Sequence, residues 1–353
     1  MRISVLHGSN DLYGASRVLV GDCGALVKAG HEVVVVLPED GPLTIMLKNA
    51  GASVLVTKLH VLRLSQPRTL LRPALSIPDW AEKPDVVVLW TLALVAYIPL
   101  LRAHGIRTLL SVHELLPSPA GRALGASANL SSGLIQVNSR ATAAWLQKCG
   151  VPSRRLDLAY PAAPKYFPLM PRNSSESVCL LLAGRINGTK GHLQAVELVE
   201  RLRRKSGCDI RLSLAGTSFR GQEQHYLDLM ARLVDLSWAT YIGEVADIRQ
   251  GLVDNDFLLV WSQRPEPFGI TPLEAWAAGR RSLGLPDGGA AESLRMVDGV
   301  LVDRSNDDGG VSSIMWALNS PTIVGPPSPT APVVVLATQE RRLASWNRLF
   351  LDP

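Results

Sequence analysis

Phe257-Leu258-Leu259-Val260 lead through a short turn into Arg264-Pro265-Glu266-Pro267-Phe268-Gly269-Ile270-Thr271-Pro272-Leu273-Glu274-Ala275-Trp276-Ala277-Ala278-Gly279. The apolar run reads as a strand buried on both faces, as in a parallel sheet. Pro267 and Gly269 keep the next stretch out of a helix. Thr271, Pro272 and Glu274 then mark a helix start: a cap residue, a proline at the first helical position and a glutamate at the third. The order is strand, loop, helix, with Glu266 on the loop and Glu274 in the first helical turn. Both carboxylates are directed to the rim where the strand ends. The amides of Gly269, Ile270 and Thr271 stand on the same rim, where unpaired helix-start N–H groups can hold an anion. Taken alone, these residues also fit a capping box at Glu274 and a solvated carboxylate at Glu266.

The same alternation of short apolar strands and helical patterns extends in both directions, which predicts an α/β fold with parallel sheets. Strands are expected at Arg2 to His7, Glu32 to Leu37, Ser53 to Val56, Asp85 to Trp90, Thr108 to Val112 and Leu134 to Asn138. A second series is expected at Val178 to Ala183, Ile210 to Ala215, Thr240 to Ile242, Phe257 to Val260, Arg281 to Leu285 and Val300 to Val302. Ala15 to Lys28 reads as a crossover helix closed by Gly30. A chain of 353 residues exceeds what one hydrophobic core usually supports. Two Rossmann-like domains are therefore expected, at 1–163 and 178–335. The proline-rich, weakly periodic segment 164–177 joins them, and an amphipathic terminal helix lies within 336–353. Within 305–335 only Val311 to Leu318 looks helical.

Hydrophobic residues make up 47% of the chain and charged residues 19%, which excludes a disordered chain. The net charge of +5 and pI near 9.1 favour anionic partners in general. That charge does not choose among nucleotide, membrane surface and nucleic acid, and the motifs favour the nucleotide, with no nucleic acid expected. Cys23, Cys149, Cys179 and Cys208 lie far apart, without zinc-ligand spacing, so neither a metal site nor a disulfide framework is indicated. No secretory signal opens the sequence, and Val86 to Leu101 is too short for a bilayer span and reads as strand then helix. A cytoplasmic protein is expected. The basic, apolar stretch from Leu62 to Pro73 fits either peripheral contact with the inner face of a membrane or a solvated helix face.

Three further constellations can carry chemistry. Leu181-Leu182-Ala183-Gly184-Arg185-Ile186-Asn187-Gly188-Thr189-Lys190-Gly191 runs a strand into a glycine-rich turn with two cations. Arg185 offers a planar fork of donors and Lys190 a mobile point charge, suited to a departing diphosphate. The order is not that of a Walker P-loop, and solvated surface charge is the alternative. Gly8 to Arg17 occupies the nucleotide-binding position of a doubly wound sheet without the G-x-G-x-x-G order. A helix start at Gly14 and Ala15 lets backbone approach a phosphate, although an ordinary βα turn fits equally. Ser111-Val112-His113-Glu114 ends a strand at the ligand-binding edge, where His113 could orient substrate or stabilise charge, with Glu114 a second partner. A lone histidine is more often structural.

Together these residues resemble the retaining glycosyltransferases of family 4, which have the GT-B fold of two Rossmann-like domains facing across a cleft. Glu266 to Glu274 is similar to that family's E-x7-E motif, Gly184 to Gly191 to its G-R-[LI]-x-x-x-K-G motif, and Tyr13-Gly14-Ala15-Ser16-Arg17 to its N-terminal glycine loop. The resemblance covers nearly the whole chain. It implies a donor site made by Gly14, Ala15, Gly184, Val245, Phe268, Gly269, Ile270, Thr271 and Glu274, with His113, Arg185, Lys190 and Glu266 as catalytic residues. Within that set, Arg185 and Lys190 hold the diphosphate, Glu274 the ribose, and Glu266 the transferred sugar near its 3-hydroxyl. Gly269 and Ile270 give backbone contacts, His113 lies beside the sugar, and the segment at Val245 flanks the base. The resemblance further implies a last helix returning to the first domain. It implies transfer without metal or cofactor from a nucleotide diphosphate-sugar to a glycan, lipid-linked or small-molecule acceptor. Two departures stand out: Gly14-Ala15 replaces a glycine pair, and Tyr160-Pro161-Ala162 replaces an Asn-Gly turn. A nucleotide-sugar epimerase, a sugar phosphorylase and a non-catalytic pseudo-transferase scaffold remain as rival readings of the same cleft.

Overall fold

The computed structural model describes residues 1–63, 69, 74, 76–170, 172, 177–218, 221–303, 310–319 and 328–352. The chain divides into two compact units, Met1–Ala162 with Leu336–Pro353, and Ala163–Val335.

In the first unit the strands are β1 (Arg2–Leu6), β2 (Glu32–Leu37), β3 (Ser53–Val56), β4 (Val86–Leu89), β5 (Arg107–Val112), β6 (Ile135–Val137) and β7 (Leu156–Leu158). Among the described residues they form a seven-stranded sheet in the order β3-β2-β1-β4-β5-β6-β7, with every pair parallel. The order turns round between β1 and β4, so the loops after these strands sit at the point where open α/β sheets take ligands. All four residues of β4 are buried, as a strand covered on both faces requires.

The first helix, Gly14–Lys28, ends as Gly30 predicts. Gly30, at φ 86°, follows the cap residue Ala29. Its N–H bonds to Val27 and that of His31 to Leu26, which together make a Schellman closure. Thr338 caps the last helix, Gln339–Leu351, by accepting from Arg341 N. Arg342, Ser345, Trp346, Leu349 and Phe350 form the buried face of that helix at helical spacing, packed on the first helix and β6.

The second unit contains β8 (Val178–Ala183), β9 (Ile210–Ala215), β10 (Ala239–Gly243), β11 (Phe257–Val260), β12 (Arg281–Gly284) and β13 (Val300–Leu301). Among the described residues these form a parallel six-stranded sheet in the order β10-β9-β8-β11-β12-β13. Side chains alternate between two apolar clusters, Leu180 and Leu182 on one face and Leu181 on the other. The switch here falls between β8 and β11. Near the start of this unit, Phe167 and Leu169 donate to the carbonyls of Ala277 and Ala278, tying that segment to the helix after β11.

The expected strands reappear with ends shifted by at most one residue. β7 was not foreseen, because Leu-Asp-Leu is too short to show a period. The stretch from Val86 contains strand β4, a 3-10 turn over Leu92–Tyr97 and the helix Ile98–Ala103. No helix among the described residues is long and apolar enough to cross a membrane. Val311–Leu318 is helical as expected, and Pro332–Leu336 adds a short helix. Most of the basic stretch Leu62 to Pro73 lies outside the described residues, as does much of 305–335.

Candidate active site

In the second unit the glycine-rich turn leaves β8 at Gly184 and is shaped by Asn187. Asn187 Oδ1 accepts from Thr189 N at 3.1 Å and Thr189 Oγ1 at 2.7 Å. Gln263 N then donates to Thr189 O at 2.7 Å, pinning the turn to the segment after β11. Only glycine fits at Gly191: φ is 79°, and a Cβ there would lie 2.0 Å from Trp261 O. The result places Lys190 over the acidic loop, where its Nζ donates to Glu266 Oε2 at 2.7 Å. Ser262 Oγ donates to the other oxygen of Glu266. Arg185 lies half-buried on the same turn.

The Glu266 loop is held from below by the helix Gly288–Met296. Gly289 N donates to Glu266 O at 2.7 Å, and Ser293 Oγ to Phe268 O at 3.2 Å. A Cβ on Gly289 would fall 1.9 Å from Pro267 O, so the loop and helix backbones touch directly. Burial alone would raise the Glu266 carboxyl. The charge of Lys190 and the donors of Lys190 and Ser262 outweigh it and hold the group below its usual value, ionised at neutral pH.

One sequence expectation is corrected here. Thr271 does not cap the helix Thr271–Ala277; it is the first helical residue, and Ile270 holds the cap position without a side-chain cap bond. Gly269, at φ 77°, turns the chain so that Ile270 already has helical angles, which starts the helix one residue early and makes Pro272 the second helical residue. Glu274 stays in the first turn, buried, its N–H bonded to Ile270 O at 3.2 Å. Val245 is partly buried and packs on the apolar cluster of Ile248, Leu252 and Val260. Thus Lys190, Glu266 and Gly269 come together, a Cβ on Gly269 lying 3.4 Å from Glu266 Oε2, with Gly184 against the Lys190 stem.

The first unit assembles a second group at the ends of β1, β4 and β5. Trp90 links its members: Nε1 donates to Ala15 O at 3.0 Å, and its ring stacks on His113 with centroids 4.8 Å apart. Gly14 and Ala15 open the first helix, with Tyr13 at the cap. Ser111 Oγ lies 2.9 Å from His113 Nε2. Burial, then the positive charge of Arg342 and the nearby His7, push the His113 imidazole well below its usual pKa, so it is neutral. Glu114 accepts from Thr91 Oγ1 and from the amides of Leu92 and His113. It therefore anchors the loop backbone. His7, also pushed down by burial, to about 4, shares Ser16 and Ser9. Among the described residues no group of three or more His, Cys, Asp or Glu is placed to hold a metal ion.

Residues 13–163 match the family described as Glycosyltransferase Family 4, and residues 171–327 the family described as Glycosyl transferases group 1. Among solved structures, Anabaena Alr3699/HepE in complex with UDP-glucose superposes with a TM-score of 0.71 at 19% identity, over 99% of this chain and 95% of the other. This chain is a glycosyltransferase of the GT-B fold. A glycosyltransferase from Rickettsia africae ESF-5 gives a TM-score of 0.66 at 14% identity, covering 99% and 94% of the two chains. An E. coli structure described as trehalose-6-phosphate bound with UDP-2-fluoro glucose gives 0.66 at 15%, covering 100% and 96%. By sequence, no curated protein matches the transferase significantly.

Several residues that shape the transferase's candidate site escaped sequence reading. Ser262 and Trp90 carry no local signature. The Gly288-Gly289 pair after β12 did offer one, since adjacent glycines at a helix start mark close backbone approach.

Proposed function

We propose that this transferase is retaining and metal-independent, moving a sugar from a nucleotide diphosphate-sugar to an acceptor hydroxyl in glycan or glycoconjugate synthesis. The observation that carries this reading is the Lys190–Glu266 contact at 2.7 Å, which joins the cationic turn to the acidic loop. In the free enzyme each group neutralises the other. A bound donor substitutes for both: its diphosphate takes Lys190 and Arg185, and a sugar hydroxyl donates to the Glu266 carboxylate. As the glycosidic bond breaks, charge builds on the leaving phosphate, and two preplaced cations stabilise that charge more than the ground state. Glu274, buried in the first turn beyond the loop, takes the ribose, and Val245 flanks the base.

Retention follows if departure and attack use one face of the sugar, the leaving phosphate oxygen taking the acceptor's proton. His113, neutral and stacked on Trp90, then serves as a hydrogen-bond partner to a substrate hydroxyl rather than as a charge. The enzyme is proposed to act in the cytoplasm on a glycan, lipid-linked or small-molecule acceptor. UDP is the first nucleoside diphosphate to test, because the Anabaena and E. coli structures hold UDP-sugars.

The test is thermal melting with a panel of nucleoside diphosphates, followed by product analysis with the UDP- or GDP-sugar that binds. A ligand of the folded state raises its apparent stability. One diphosphate should raise Tm in the wild type and much less in Lys190→Ala, and its sugar conjugate should release that diphosphate when an acceptor is added, with or without EDTA. Epimerised donor with its diphosphate intact would remove the transfer reading. An inverted product would remove retention, and loss of turnover in EDTA would remove metal independence.

A further inference from the structure

Gln136, the middle residue of β6, is the branch point of a hydrogen-bond chain that no sequence motif announces. Arg342 Nη2 lies 3.2 Å from its Oε1, Ser111 Oγ lies 3.0 Å from the same oxygen, and Ser345 Oγ lies 2.9 Å from its Nε2. A guanidinium only donates, so the end of the amide that faces Arg342 must be the oxygen. Ser111 reaches that same oxygen, and a carbonyl oxygen only accepts. The single Ser111 proton is therefore committed to Gln136. The far end is fixed as well, since Gln136 Nε2 donates to Ser345 Oγ, whose own proton goes to Asp157. Ser111 Oγ also lies 2.9 Å from His113 Nε2. With its proton used, the hydroxyl can only accept there, so Nε2 must carry a hydrogen.

We infer that the C-terminal helix, acting through Arg342, Gln136 and Ser111, sets the tautomer of His113, with hydrogen on Nε2 and the Nδ1 lone pair presented to a substrate hydroxyl. The ring is neutral for the reasons given above, so only one nitrogen is protonated. Nδ1 has no partner among the described residues. Glu114 is engaged by Thr91 and two amides, Asp22 by Arg342 and by Trp346 Nε1 at 2.8 Å, and His7 through its Nε2 by Ser16 and Ser9. Trp90, stacked between His113 and Trp346, fixes the ring plane. Gln136 and Ser111 are thus positioning residues, and the last helix supplies the guanidinium that fixes the direction of the chain. The hydrogen on Nε2 follows from the hydrogen bonds and the bare Nδ1 from the neutral ring, whereas the use of Nδ1 rests on the role proposed for His113.

The experiment is ¹⁵N NMR of the 353-residue chain labelled at its seven histidines, with the His113→Gln spectrum identifying the signal. The expected result is a pyrrole-like Nε2 and a pyridine-like Nδ1 at neutral pH. Gln136→Leu frees the Ser111 proton and brings in the other tautomer. Ser111→Ala removes the Nε2 acceptor and does the same, while Ser111→Thr keeps the hydroxyl and restores the wild-type pattern. A wild-type ring protonated on Nδ1 overturns the inference whether or not the variants fold, and so does a tautomer unchanged in both Gln136→Leu and Ser111→Ala. Sugar transfer separates the two layers. With the tautomer as expected, Gln136→Leu should lower kcat more than donor KM. A wild-type kcat in that variant removes the substrate-facing role of Nδ1. Absence of transfer in the wild type overturns the proposed function and leaves the tautomer standing.

Discussion

Lys190 Nζ and Glu266 Oε2 meet at 2.7 Å although 76 positions separate them in the chain. They meet because the strands they follow, β8 and β11, are neighbours in one parallel sheet, so both loops leave from the same edge. The lysine side chain is 33% exposed, and an ion pair so open to water stabilises a fold by less than about 1 kcal/mol. Its consequence is local: a cation and a carboxylate are kept in place, desolvated in part, at the edge from which both loops leave.

Under the proposed function, replacing Lys190 by Ala should cost catalysis far more than stability. Loss of a preplaced charge aimed at a leaving group typically lowers kcat about 10²–10³-fold, whereas the melting temperature should move little. Steady-state kinetics and a thermal melt on the same preparation check both halves. A variant that keeps its kcat removes Lys190 from the chemistry. Without its partner, Glu266 keeps only the Ser262 donor against its burial, so its pKa should rise.

Local signals made much of this molecule readable. Apolar runs such as Phe257–Val260 bounded by turn residues gave the strands, and the glycine, proline and charge spacing of residues 184–191 and 264–279 gave the loops that follow them. What stayed hidden depends on contacts distant in sequence. The Ser262 donor to Glu266 looks like any loop serine, and Gln136 reads as a polar residue in a short strand until the last helix places Arg342 and Ser345 around it. The misplaced cap at Thr271 has a different cause. A positive-φ glycine can advance a helix start by one residue, and the sequence alone does not show which glycine does so.

Asp22 and Arg342, both with 1% of the side chain exposed, should behave as a buried pair whose halves cannot be removed singly. Trp346 Nε1 also donates to Asp22, and Arg342 Nη1 to Ala159 O, so the pair anchors the last helix to the rest of the first unit. Asp22→Ala leaves a guanidinium buried without its counter-ion, for which a loss of about 3–5 kcal/mol is typical. Urea denaturation of Asp22→Ala beside the wild type measures this, and a loss below about 1 kcal/mol, the range of exposed pairs, would show that water reaches the pair. The double variant Asp22→Ala with Arg342→Met should lose less than Arg342 left alone, because no uncompensated charge remains.

Acid should weaken the fold before it protonates most carboxylates. His7 and His192 are held near a pKa of about 4, mainly by burial, against an ordinary value of 6.5. Between those values the unfolded chain binds protons that the native state refuses, so stability falls as pH drops from about 6.5 toward 4, by up to about 1.4 kcal/mol per pH unit for each histidine. Glu266, depressed below its usual value, adds to the loss only lower in pH, as the native carboxylate begins to protonate. Urea midpoints measured across this range in the wild type and in His192→Gln should differ in slope, the variant falling less steeply. Equal slopes would mean that His192 takes up its proton without unfolding.

Gly289→Ala tests whether the acidic loop must be held to a fraction of an ångström. The new Cβ would meet Pro267 O at 1.9 Å and Pro267 C at 2.5 Å, both backbone atoms with no side-chain freedom to yield. The Gly289 N–H that now donates to Glu266 O at 2.7 Å moves with them, so the loop bearing Glu266 must shift by an ångström or so while β11 and β12 beneath it stay paired. Displacement of that size can cost about 10²-fold in rate. Under the proposed function, kcat/KM should fall by that order while donor-free melting drops only modestly, and Ser293→Ala, which removes the hydroxyl shared between Phe268 O and Ala290 O and adds no atoms, should show a smaller loss. A Gly289→Ala enzyme with undiminished kcat/KM would mean that Glu266 reaches its substrate from more than one loop position.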